Sequence, residues 1–100
     1  MSTLLVKLAG TDTFAFEGAL TRNTVVGAWP TRKMQWAQLD KDITFDLKQI
    51  SQLDTAGLAW LIQLTDECHQ ARKRLTMQNV PSSLLKLAKI SDVEDLLPLQ

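Results

Sequence analysis

The residues able to do chemistry are few and scattered. The chain holds one cysteine, Cys68, and one histidine, His69. They are adjacent, and neighbours on a helix point about 100° apart, so they do not form a nucleophile–base pair. A lone cysteine makes no internal disulfide, and with one histidine it is a poor start for a structural zinc site. Asp40 and Asp42 flank Lys41 in what reads as a solvated turn. Gly10, Gly18, Gly27 and Gly57 stand too far apart to build a phosphate-cradling loop, so ATP binding by this chain is not expected. No catalytic residue, metal or cofactor is expected.

One segment offers more. From Thr44 to Ala59 a strand ends, a polar loop follows, and a helix opens with Asp54, Thr55, Ala56 and Gly57. The first N–H groups of a helix lack internal partners, and Asp54 or Thr55 can cap them. Ala56 and Gly57 are small enough for a partner to approach the backbone closely. Equally, Gly57 can serve tight packing of a capped core helix. Farther along, Trp60, Leu64 and Glu67 fall at i, i+4 and i+7, off the Leu58, Leu61 and Ile62 face. Trp60 and Leu64 read either as interface anchors or as residues buried under the next helix.

These residues must be positioned by the rest of the chain. Thr3 to Ala9 alternates as a strand, Gly10, Thr11 and Asp12 signal a turn, and Thr13 to Glu17 forms the second strand of a hairpin. Thr21, Asn23 and Thr24 are candidate caps ahead of an irregular or partly helical stretch. Gly27 and Pro30 interrupt any long helix, and the firm helix is expected from about Pro30 to Leu39. Val26, Trp29 and Trp36 share a helical face by spacing, as core residues do. Ile43 to Leu47 reads as a short strand, Asp54 to about Arg72 as the strongest helix, and Leu75 to Gln78 as a fourth strand. A third helix follows Pro81 through Leu84, Leu87 and Ala88. Ser91 and Glu94 match a capping box for a last short helix through Leu97.

The order β-β-α-β-α-β-α-α gives an α/β fold: one domain over residues 1–100, a four-stranded mixed β-sheet with helices packed against it. The 45% hydrophobic and 22% charged residues suit a folded chain. Eleven Lys and Arg balance eleven Asp and Glu, so no basic footprint for nucleic acid appears. No stretch approaches the roughly 20 apolar residues of a membrane span, and the segment MSTLLVKLAG lacks a signal peptide's basic start. A cytoplasmic protein without direct membrane insertion is expected. A domain this small buries only about two thirds of its unfolded surface, which favours a recognition surface over an enclosed cavity.

Asp46 and Leu47, then Ile50, then Leu53-Asp54-Thr55-Ala56-Gly57-Leu58-Ala59 resemble the signature of STAS domains. That family includes anti-sigma factor antagonists and the cytoplasmic tails of sulfate transporters. The element order agrees with it over essentially the whole chain. Asp54-Thr55, a small residue, then Gly57-Leu58-Ala59, together with Trp29 and the Leu87-Ala88-Lys89 run, are most similar to the small STAS subunits of phospholipid ABC transporters. The resemblance implies a non-catalytic subunit that binds the transporter's ABC ATPase, and through it the permease, in two copies per complex, to maintain outer-membrane lipid asymmetry. With it, partner binding is expected at Asp54, Thr55, Ala56 and Gly57 and, by their helical spacing, at Trp60 and Leu64. Ala56 stands where the antagonists carry a phosphorylated serine, so that switch cannot operate there; Thr55 is the remaining possible phosphorylation site. The alternative within the family is an anti-sigma factor antagonist that switches partners with an anti-sigma kinase.

Overall fold

A computed structural model describes residues 4–10, 12–28 and 41–98. The strands are β1 (Leu4–Leu8), β2 (Thr13–Leu20), β3 (Asp42–Leu53) and β4 (Arg74–Gln78). The helices are α1 (Arg22–Ala28), α2 (Thr55–Gln70) and α3 (Ser82–Ile90), followed by a 3-10 turn at Glu94–Leu96. The sheet order is β1-β2-β3-β4, with β1 antiparallel to β2 and the other two pairings parallel. The four-stranded mixed sheet agrees with the expectation, and the element order agrees with it roughly.

Alternation sets which side of the sheet is covered. Phe14 and Phe16 of β2, Ile43, Phe45 and Leu47 of β3, and Leu75 and Met77 of β4 are buried. Thr13, Thr44 and Thr76 line up across the opposite face and are only half-buried. The core centres on an aromatic cluster. Phe16 lies 4.9 Å from Phe45 and 6.0 Å from Trp60 by ring centroid, the latter edge to face.

Two elements run longer than their periodicity indicates. β2 continues to Leu20, and β3 spans twelve residues where Ile43 to Leu47 alone alternate clearly. Gln49, Ile50, Gln52 and Leu53 pair with Glu17, Gly18, Ala19 and Leu20, across register shifts at Ala15/Glu17 and Gly18/Ala19. Each shift adds a residue on β3, which breaks the period of two and makes a strand look like a polar loop. Gly18, with φ of 100°, takes a backbone conformation that side chains disfavour.

The helices also differ from expectation in places. α1 begins at Arg22 and runs through Gly27. The helix expected at Pro30 to Leu39, together with Trp29 and Trp36, lies outside the described residues. The capping box at Ser91 is absent. Ser91 closes α3, with its N–H bonded to the Leu87 carbonyl, and Asp92 turns left-handed at φ 58°. Asp92 N–H to Lys89 O and Val93 N–H to Ala88 O complete a Schellman motif. A residue ending one helix this way cannot cap the next, so only a 3-10 turn without a side-chain cap follows.

Candidate functional site

Leu20 and Leu53 are directly paired, so β2 and β3 end level with each other. Each strand then enters a helix at once, through Thr21 into α1 and through Asp54 into α2. Parallel pairing therefore brings two helix starts side by side at the carboxyl ends of the strands, where sheets of this kind usually bind partners.

Asp54 joins them. It is the N-cap of α2, extended at φ −133° and ψ −176°. Its Oδ1 accepts from the Gly57 N–H at 2.9 Å, and its Oδ2 accepts from the Arg22 N–H at 3.0 Å. Its own N–H reaches the Leu20 carbonyl at 3.3 Å. The Gly57 bond first, and the Arg22 bond second, hold the Asp54 carboxyl below its ordinary value, because both stabilise the charged form. On the α1 side, buried Thr24 donates its hydroxyl to Ala19 O at 2.8 Å and accepts the Thr21 N–H at 3.0 Å. That secures the first turn of α1 to the end of β2.

Thr55 is exposed, Ala56 half-buried, and Gly57 buried. The Thr55 hydroxyl makes no hydrogen bond among the described residues. Arg22 and Asn23 are exposed on the neighbouring helix start. Thr55, Ala59, Gln63 and Asp66 form an exposed stripe along α2.

The structure therefore divides the expected site residues. It brings Asp54, Thr55 and Ala56 together at one accessible edge. Gly57 belongs to the packing instead: a Cβ there would fall 1.9 Å from the Leu20 carbonyl oxygen. Trp60 and Leu64, at 7% and 0% exposure, are core residues and not surface anchors. α2 packs against α1, α3, β2 and β4, so its buried arc is wider than the single face that Leu58, Leu61 and Ile62 define. Arg22 was not read as a site residue, and Asn23 only as a candidate cap, because only long-range strand pairing brings the start of α1 beside Asp54.

Other chemistry finds little support in the geometry. Cys68 is fully buried, and burial pushes its thiol up to about 11. His69 is exposed and lines a groove of about 450 Å³ between α2 and the 3-10 turn, with Asp66, Asp95 and Leu96. Among the described residues, no three His, Cys, Asp or Glu side chains cluster to hold a metal ion. Among them also, no helix is long and apolar enough to cross a membrane.

The family model described as Mlab, STAS domain, matches residues 6–98. The intermembrane phospholipid transport system binding protein MlaB of Escherichia coli is 34% identical over 89 residues, covering 87% of this chain and 88% of that protein. The protein of the same name from Haemophilus influenzae is 31% identical over 81 residues, 78% of this chain and 77% of its own. Among solved structures, the anti-sigma factor antagonist SpoIIAA in its unphosphorylated form superposes with a TM-score of 0.69. It covers 97% of this chain and 85% of that one at 14% identity. At that identity the likeness speaks for the fold alone.

Proposed function

The chain belongs to the STAS domain family of MlaB type, and on that premise we propose that it is a non-catalytic subunit that docks on the ABC ATPase of a phospholipid transport system. The relatives' names supply the transport system. The observation that carries the docking is the exposed Thr55, presented by the Asp54 cap beside α1 on a surface of short side chains. Such a surface lets a partner backbone come close, which suits binding and offers no assembled nucleophile and base. By preferring one state of the ATPase, the docked subunit regulates or stabilises it. An ATPase working as a dimer takes two copies of this chain, held at the inner membrane through the permease rather than by insertion. Phosphorylation of Thr55 would add about −1.5 to −2 charge at that contact and oppose docking.

The test is capture of the tagged chain from detergent-solubilised native cells, with Thr55→Glu in parallel. The expected result is an ABC ATPase and its permease with the wild-type chain, and much less of both with the variant. Recovery of an anti-sigma kinase instead would replace this reading with partner switching. Ala56 weighs against that alternative, since it lacks the hydroxyl that the resemblance assigns to the switch.

A further inference from the structure

Asp54 sits within the expected contact region, yet its carboxylate faces inward to backbone. One oxygen caps α2 through Gly57, and the other takes the N–H of Arg22, the first residue of α1. The Arg22 N–H is one of the donors a helix start leaves without an internal partner. Here a different helix supplies its acceptor. The described part of α1 is seven residues, Arg22–Ala28. Its first turn is tied to β2 by Thr24 and to α2 by Asp54.

We propose that Asp54 is a positioning residue that clamps α1 to α2, making Arg22 and Asn23 part of one docking surface with Thr55. This deepens the docking reading above and rests on it. The first turns of α1 and α2 contain no acidic residue. Asp54, the carboxylate beside them, is hydrogen-bonded to backbone through both oxygens and also feels the Arg22 charge, while the Arg22 side chain is exposed and makes no direct salt bridge among the described residues. The surface so assembled presents an exposed cation, and the partner patch that complements it is acidic.

Asp54→Asn separates clamp from cap. Asparagine caps a helix as well as aspartate does, but its amide offers one acceptor and one donor where two acceptors are needed. One of the two bonds is therefore lost. Hydrogen exchange at the Arg22 and Gly57 amides reads which one. The probe is the ABC ATPase recovered in the capture experiment, purified and titrated against each variant. With the Arg22 amide deprotected and the domain still folded, affinity should fall about two- to tenfold, the range for a lost hydrogen bond. Unchanged affinity in that state would overturn the clamp.

If Asp54→Asn does not fold, or loses the Gly57 bond instead, Arg22→Glu and Arg22→Lys decide. Their side chains project from an exposed position. The glutamate variant should bind more weakly with a reversed salt dependence, and the lysine variant nearly as wild type. Wild-type binding by Arg22→Glu, with Thr55→Glu still defective, would overturn the composite surface while leaving the docking reading intact. Wild-type binding by both would sink the docking reading itself.

Discussion

Gly57→Ala tests how α2 is seated on the sheet. An added Cβ would lie 1.9 Å from the Leu20 carbonyl oxygen and 2.6 Å from its carbonyl carbon. Both are backbone atoms, fixed by the pairing of Leu20 with Leu53, and neither can rotate aside. Real Cβ atoms essentially never approach closer than 3.0 Å, so the start of α2 must lift by roughly 1 Å. Two effects oppose. Alanine improves helix propensity by about 1 kcal/mol. Overpacking costs about 1–3 kcal/mol or more. The lift also strains the 3.3 Å bond from Asp54 N–H to Leu20 O and the 3.0 Å bond from Arg22 N–H to Asp54, each worth about 1 kcal/mol. The packing loss wins, with a net destabilisation of about 2–4 kcal/mol. In a domain of this size each kcal/mol moves Tm by about 4–8 °C, so Tm should fall by at least about 8 °C. Urea and thermal unfolding followed by circular dichroism measure it. An unchanged Tm, or the rise expected of an unconstrained helix glycine, would refute the close approach to Leu20.

Two further outcomes follow from the same structure. Asp54 has a folded-state carboxyl pKa below its ordinary 3.8, so its ionised form stabilises the fold. That contribution is complete well above the unfolded value and is lost as pH falls through the lowered folded one. The stability advantage of wild type over Asp54→Asn, from urea titrations at stepped pH, should narrow below about pH 4; an advantage that grows on acidification would contradict the hydrogen-bond assignment. Cys68 is 0% exposed with its thiol raised to about 11. A thiol reagent at pH 8 should label it only as urea unfolds the domain, and rapid labelling of the native chain would mean that α2 opens locally.

The sequence carried the element order because most elements have clean local signals. Leu75 and Met77 alternate in β4, Pro81 opens α3, and Asp54 with Gly57 marks the start of α2. What local signals miss depends on partners distant in sequence. The second half of β3 is a strand because irregular β2 runs beside it, not because Lys48 to Gln52 look like one. The motif at Ser91 and Glu94 is a capping box by spacing, yet the Schellman closure of α3 claims Ser91 first. The site shows the same division. Asp54 and Thr55 were legible from their place at a helix start. That the start of α1 lies beside Asp54 was not, because nothing local shows that β2 and β3 end level.

The burial of Trp60 and Leu64 changes what the docking surface has to be. With both in the core, α2 offers Thr55, Ala56, Ala59 and Gln63 on its accessible side, none of them the large aromatic or arginine anchors that usually dominate binding energy. On the proposed docking reading such a surface would gain affinity by close approach rather than by filling pockets in its partner, and bulk or charge at Thr55 would be costly out of proportion to its area. Arg22 on α1 is the one anchor-type side chain at this edge among the described residues. In the proposed composite surface it would take part only while α1 stays against α2, and that proposal would give a reason for an aspartate, with two equivalent acceptors, at the start of α2 where serine or asparagine would cap equally well.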